Sequence, residues 1–261
     1  MSTSVGGPAG AAGDGGGGDE PADSVDPNDL ERALALLTHG TLELEGRLLD
    51  ASNATLYCTI SWEDLSGCCV YKPVRGERPL WDFPDGSLAE REMAAYEVSA
   101  ATGWSIVPPT VLRDGPFGYG MCQLWIEVDE SVDLGQLARS KHPGLRRMAL
   151  FDAVINNADR KGGHLLPTPT GHVFGVDHGV TFHVEDKLRT LLWTWRGRRF
   201  SPEERAMLER LRDDTVLLNR LTELLTPAEV SAYDRRIDRL LRTGVFPSPS
   251  GDWPAIPWPP F

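Results

Sequence analysis

The chain has little of several features that usually announce a function. Only 4 of its 261 residues are cysteine, and Cys58, Cys68, Cys69 and Cys122 show no paired two-residue spacing. Adjacent Cys68 and Cys69 would point to opposite faces of a strand, which argues against a zinc site or a disulfide framework and for reduced, small apolar side chains. No apolar run approaches the roughly 18 residues of a membrane span, and the N-terminus lacks the basic flank and apolar stretch of a secretory signal. A cytoplasmic protein without stable membrane insertion is expected. Positive charge is scarce: 26 Lys and Arg against 38 Asp and Glu leave a net charge of −12, so diffuse attraction to nucleic acid is a poor explanation. A Walker-type glycine loop, a His-Glu-x-x-His pair and a Gly-x-Ser-x-Gly elbow are all missing, which disfavours P-loop, zinc-peptidase and serine-hydrolase chemistry. No internal repeat is evident.

What is present suits a globular protein. A hydrophobic fraction of 41% and a charged fraction of 25% allow one large core or two small lobes. Residues 1–25 differ from the rest. Eight glycines fall in the first 18 positions, and Asp14, Asp19, Glu20, Asp23, Asp26 and Asp29 give six negative charges with no basic residue in the first 29. Such a segment cannot offset its ordering entropy, so residues 1–25 read as a disordered acidic tail. Order is expected from Asp26-Pro27-Asn28-Asp29, an N-cap with proline at the first helical position, and Gly40 supplies the stop.

From Thr41 to about Glu127 the pattern is of short strands: 42–49, 55–61, 68–72, 107–113 and 119–128. One helix interrupts them, Leu88 to Thr102, closed by Gly103. After Asp129 the chain turns helical, at 132–138, 145–157, 201–213, 215–225 and 226–242. Ser201-Pro202-Glu203-Glu204 and Thr226-Pro227-Ala228-Glu229 each set a hydroxyl N-cap three residues before a glutamate. Strands with one embedded helix, then helices with a short β insertion, predict an α+β chain of two lobes and not a repeating βαβ sheet. Residues 244–261 hold Trp253, Trp258 and six prolines from Phe246 onward. They cannot form a helix, and a packed tail covering core is favoured over a partner motif or an autoinhibitory plug.

The most specific segment runs from Phe151 to Leu166, followed by Val173 to Gly179. An apolar helix delivers Asp159 into a glycine-containing loop, a short hairpin follows, and Asp177 emerges just before Gly179. Two carboxylates are thereby brought toward one cleft. Phosphoryl transfer needs such a pair, one to orient or deprotonate the acceptor hydroxyl and one, with a neutral partner, to hold Mg²⁺ against the phosphates.

Here the sequence resembles actinobacterial proteins similar to phosphatidylinositol 3- and 4-kinases, within the protein-kinase-like superfold. Asp159-Arg160-Lys161-Gly162-Gly163-His164 looks like the catalytic loop and Asp177-His178-Gly179 like the metal-binding Asp-x-Gly; the likeness spans most of 41–242. It implies a two-lobed kinase-like domain over 26–243, with an N-lobe at 41–123 and a C-lobe at 124–243, that binds ATP and Mg²⁺ and phosphorylates a hydroxyl of a protein, small-molecule or lipid acceptor. Asp159 would be the catalytic aspartate and Asp177 the principal metal ligand. His164 stands where the usual loop has a metal-binding asparagine, so either imidazole replaces the amide or one metal suffices. Lys72, ending an apolar strand, would contact the phosphates. Within Arg91-Glu92-Met93-Ala94-Ala95-Tyr96, Glu92 would hold that lysine, with Glu90 as the fallback.

Ser52, Asn53, Ala54 and Thr55 lie in a small polar link with no Gly-x-Gly-x-x-Gly, which by itself reads as a hairpin turn and by resemblance as the phosphate-covering loop. Gln123, Leu124, Trp125, Ile126 and Glu127 form the expected hinge, contacting adenine through main chain more than side chain. Trp193, Trp195, Arg196, Arg198 and Arg199 fit equally a substrate-binding segment or a packing surface for the C-terminal tail. Two other readings stay open: a nucleotide-binding pseudokinase scaffold, and a kinase-fold AMP transferase.

Overall fold

The computed structural model describes residues 23–48 and 54–261. Residues 1–22 of the tail predicted at 1–25, and the link residues 49–53, including Ser52 and Asn53, lie outside the described residues.

The N-terminal half is one sheet, antiparallel except for its first strand, with a helix on each side. In chain order it comprises β1 (Asp23–Ser24), α1 (Leu30–His39), β2 (Thr41–Arg47), β3 (Leu56–Trp62), β4 (Leu65–Pro73), α2 (Leu88–Thr102), β5 (Thr110–Gly115) and β6 (Gly118–Leu124). The sheet order is β2-β3-β4-β6-β5, and β1 runs parallel to the start of β4, pairing Asp23 with Leu65. Residues 23–25 thus carry main-chain pairing where the sequence suggests a tail; Val25 N–H donates to the Ser66 carbonyl at 3.2 Å.

Helix α1 begins later than expected. Asp26 folds back to accept the Asn28 N–H at 2.8 Å, a local turn that competes with capping, and Asp29 instead caps the helix through Arg32 N–H. Gly40 ends the helix with ordinary extended backbone. Its lack of a side chain matters for another reason: a Cβ there would collide with Ile60 and the Leu36 carbonyl. Alternation along β3 and β4 buries Leu56, Cys58, Ile60, Cys69 and Tyr71 against Ala33, Leu36 and Leu37 of α1, so Cys58 and Cys69 are core residues and all four thiols are free.

The C-terminal half contains α3 (Leu134–Arg139), α4 (Pro143–Ile155), the hairpin β7 (Leu165–Pro167) and β8 (Val173–Gly175), then α5 (Pro202–Asp213), α6 (Thr215–Leu224) and α7 (Pro227–Thr243). Both capping boxes form, Ser201 with Glu204 and Thr226 with Glu229. Each glutamate also reaches a distant guanidinium: Glu204 grips Arg146 at 2.6 and 2.8 Å, and Glu229 pairs with buried Arg91 of α2. The larger core gathers α2, α4 and α5–α7 around Phe151, Phe182 and Tyr233. Helix α2 is therefore shared, packing on the sheet and standing on the C-terminal helices, with Arg91 donating to the Thr181 carbonyl at 2.8 Å. Its N-terminus is capped from outside by Glu77, whose carboxylate accepts Leu88 and Ala89 N–H at 3.1 and 2.9 Å. No helix among the described residues is long and apolar enough to cross a membrane.

Candidate active site

The two halves meet along a cleft, and five predicted residues converge at its mouth. Lys72 sits one residue before the end of β4, where register with Met121 of β6 fixes it in the sheet. Its ammonium donates to Glu92 Oε1 at 2.7 Å and to Asp177 Oδ1 at 3.0 Å. Glu92, in the second turn of α2, is 2% exposed, and its other oxygen accepts the His178 N–H at 2.8 Å. The fallback Glu90 does not take that place. Burial works against the charge on Lys72, but Asp177 and Glu92 outweigh it and hold the ammonium above its ordinary range. The same lysine, more than any other group, keeps the Asp177 carboxyl well below the usual carboxylate range.

The hairpin explains why His164 and Asp177 are neighbours. Leu165 pairs with Gly175, so the residues just outside the ladder face each other, and Val176 N–H donates to the His164 carbonyl at 3.1 Å. His164 Nε2 then lies 3.4 Å from Asp177 Oδ2. Burial pushes the imidazole pKa down to about 4, leaving it neutral with a lone pair to offer at pH 7. Asp177 has φ +62, a sparsely populated region for a side-chain-bearing residue, stabilised by the contacts of its carboxylate and of its neighbour His178.

Asp159 approaches from the loop after α4. Asn156 ends that helix in the left-handed conformation, and Asn157 Oδ1 accepts the Asp159 N–H at 2.9 Å. Burial raises the Asp159 pKa, opposed by Lys161, whose ammonium lies 3.1 Å from Oδ2. Ligand atoms of Asp159, His164 and Asp177 fall within 4.8 Å of one another. Two carboxylates and a neutral imidazole are a donor set that suits a divalent cation.

Sequence reasoning missed the layer beneath. Arg160 and Asp152 are both fully buried and form a multidentate pair, with Arg160 Nε and a terminal nitrogen 2.9–3.2 Å from the carboxylate. Asn157 Nδ2 and Thr190 Oγ1 donate to the same carboxylate. Arg160 also donates to the Val176 carbonyl at 3.1 Å and meets His178 Nε2 at 2.6 Å. Burial, then Arg160, pushes the His178 pKa far down, so the ring is neutral and its Nε2 accepts. One guanidinium thus fastens the Asp159 loop to the Asp177 segment. The available signal was Asp152 itself, a lone charge inside the apolar run Phe151-Asp152-Ala153-Val154-Ile155.

A cavity of about 470 Å³ opens beside Lys72, Asp159 and Asp177, walled by Leu80, Trp81, Lys187, Arg189 and Trp253. A second, of about 420 Å³, lies on the hinge side, lined by Leu124, Trp125, Ile126, Glu127, Tyr57, Cys68 and Phe174. Gln123 does not line it; its buried amide donates to Thr110 Oγ1 at 2.9 Å. Ala54 N–H bonds the Gly76 carbonyl at 3.1 Å, and Thr55 is buried. Trp193–Trp195 forms a 3₁₀ turn, with Trp195 buried and Trp193 Nε1 donating to Ala255 of the C-terminal tail at 2.9 Å.

The chain matches no protein-family model. It is 44% identical over 264 residues to Protein Rv2133c of Mycobacterium tuberculosis, an alignment covering 87% of this chain and 95% of that protein. The chain belongs to the Rv2133c family. Among solved structures it is similar to the Golgi casein kinase with Mn/ADP bound, with a TM-score of 0.55 at 14% identity over 84% of this chain and 76% of that one. A second structure of the Golgi casein kinase gives a TM-score of 0.54 at 14% identity, covering 84% and 75%. The likeness shows the fold of this Rv2133c-family chain: α+β, two-lobed and kinase-like.

Proposed function

We propose that the protein is an ATP- and divalent-cation-dependent phosphotransferase that moves the γ-phosphate of ATP onto a hydroxyl group. The observation that supports this reading is the convergence of Lys72, Glu92, Asp159, His164 and Asp177 in the cleft of a kinase-like fold. The similar Golgi casein kinase has been seen with Mn/ADP. The catalytic unit proposed is 26–243, with lobes at 41–123 and 124–243, flanked by tails at 1–25 and 244–261.

In this reading Lys72, held by Glu92, contacts the α and β phosphates, and residues 52–55 cover them. The purine lies at the hinge. Leu124 and Trp125 N–H already bond the Pro109 and Cys68 carbonyls at 2.9 Å, so main-chain contact to its edge falls to Ile126, Glu127 and the carbonyls. Asp177 and His164 would hold the cation, which supplies charge neutralisation at the phosphates. Mg²⁺ is the cation proposed, and the imidazole nitrogen makes Mn²⁺ the sharpest comparison. Asp159 orients the acceptor hydroxyl. The new oxygen–phosphorus bond forms as the bridging β–γ bond breaks; ADP leaves, and the hydroxyl proton passes to a carboxylate whose pKa burial has already raised. Kinship with the phosphatidylinositol 3-/4-kinase-like proteins belongs to the same proposal, resting on Asp159–His164, Asp177–Gly179 and Arg91–Tyr96. It does not make the acceptor a lipid.

Parallel incubations with γ- and α-labelled ATP, with Mg²⁺ or Mn²⁺, test the proposal. Label is expected to leave ATP from the γ position only. Asp159→Asn should lower turnover by about 10²–10⁴-fold while the thermal shift given by nucleotide and cation persists, and Lys72→Met should weaken that shift. Full turnover in Asp159→Asn would refute the role of Asp159. Binding without turnover would indicate a pseudokinase, a reading His164 favours, and transfer of the α label would indicate an AMP transferase.

A further inference from the structure

The C-terminal tail is fixed at the site by contacts that phosphate transfer does not require. Ala255 carbonyl accepts both Thr190 N–H at 3.1 Å and Trp193 Nε1–H at 2.9 Å. Pro260 carbonyl accepts the Gly162 N–H at 2.8 Å, and the Phe261 ring lies on the Gly162 face that a Cβ would otherwise fill. The Trp253 indole covers the Lys187 ammonium at 4.5 Å, and that ammonium is bound to Asp82 at 2.8 Å. The tail therefore occupies main-chain donors both on the segment after Asp177 and on the loop after Asp159.

Two consequences oppose each other. An extended polypeptide acceptor would need an edge on one of those segments, and the chain's own terminus already holds it. Yet the tail does not fill the space beside Asp159. Trp253 is the one tail residue in the wall of the 470 Å³ cavity, and the volume in front of the carboxylate stays open. A plug would close that volume; a wall leaves it, at a size typical of small-molecule sites.

The charges in the wall narrow the ligand class. Lys72 is engaged by Glu92 and Asp177, and Lys187 by Asp82; Arg78, also in the wall, is partnered too. Arg189 is different. Its backbone is pinned on both sides, N–H to the Asn157 carbonyl at 2.9 Å and carbonyl from the Arg160 N–H at 3.1 Å, but its side-chain Nε is buried with no hydrogen-bond partner. The guanidinium lines the cavity and its charge already bears on Asp159; because it cannot shed its proton, its N–H groups on the cavity side suit an anionic ligand group.

We propose that the C-terminal tail is a fixed part of the acceptor site, with Trp253 as its wall and residues 254–261 as the anchor of that wall, and that the acceptor is a small hydroxyl compound bearing an anionic group, held between the Trp253 indole and the Arg189 guanidinium. This rests on the phosphotransferase reading and adds the acceptor class to it.

The test uses the full-length chain, γ-labelled ATP and a mycobacterial extract divided by ultrafiltration into a small-molecule filtrate and retained macromolecules. Wild type should transfer label to a filtrate compound that, identified by mass, carries an anionic group besides the transferred phosphate, and not to retained proteins. Trp253→Ala and Arg189→Gln should each cut that transfer by about tenfold or more, with the thermal shift given by ATP and cation preserved as the check on folding. Label in retained proteins, or higher protein labelling in Trp253→Ala, would make the tail a plug and overturn the inference while sparing phosphotransfer. Label on a filtrate compound whose only anionic group is the transferred phosphate would remove the role of Arg189 and overturn it equally. No transfer to either fraction and no ADP release would overturn the phosphotransfer reading itself, and this inference with it.

Discussion

Replacing Arg160 by methionine removes the guanidinium that joins the Asp159 loop to the Asp177 segment without opening a large cavity. Asp152 would then be a fully buried carboxylate whose remaining donors are Asn157 Nδ2 at 3.0 Å and Thr190 Oγ1 at 3.4 Å. Breaking a buried pair by deleting one partner costs about 3–5 kcal/mol. Those two surviving donors place the expected loss near the lower end, about 3 kcal/mol. In a chain of this size that is a fall in Tm of roughly 6–12 °C. Urea denaturation with an unchanged m-value would read it directly. Adding Asp152→Asn to Arg160→Met removes the stranded charge and should return about half of the loss or more, a coupling visible in a double-mutant cycle. A methionine variant melting within about 2 °C of wild type, or a double variant less stable than the single, would show that the pair does not hold these loops together. Where the variant is folded, nucleotide turnover should still drop, because Val176 and His178 lose their tie to the loop.

Two further outcomes follow from the same geometry. His164 titrates at 6.5 in the unfolded chain and near 4 when folded, so its contribution to stability is complete above pH 6.5 and is lost as pH falls toward 4, on the order of 3 kcal/mol for this group. Urea melts at pH 7, 6 and 5 should show wild type losing stability relative to His164→Asn; parallel curves would contradict the burial argument. Glu77→Ala should cost about 1 kcal/mol by uncapping α2, read as faster amide exchange at Leu88 and Ala89, and unaltered exchange there would mean another group caps the helix.

Locally encoded features were legible before any coordinates. Ser201 and Thr226 begin their helices because the hydroxyl, the proline and the glutamate that satisfy the first turn lie within four residues of each other. The tight hairpin between Leu165 and Gly175 likewise sets His164 beside Val176 over a short chain distance. Where a local signal was overridden, the expectation shifted: Asp26 reads as the N-cap, but its turn with Asn28 leaves Asp29 to cap the helix. Of the residues read as a hinge, Leu124 to Glu127 line a cavity, whereas Gln123 turns its amide to Thr110 in the core.

Residue type and order along the chain determined which side chains could serve a phosphate site: a lysine ending a strand, a glutamate on the helix after it, and two aspartates around a hairpin. Only the tertiary structure decided that Lys72 reaches Asp177 across 105 positions, that Arg160 is committed to Asp152, and that the final residues lie against Gly162. Capping and turn formation are settled by atoms a few bonds apart. Contacts between distant segments depend on how the sheet and the C-terminal helices pack against the shared helix α2, a property no short stretch of sequence contains.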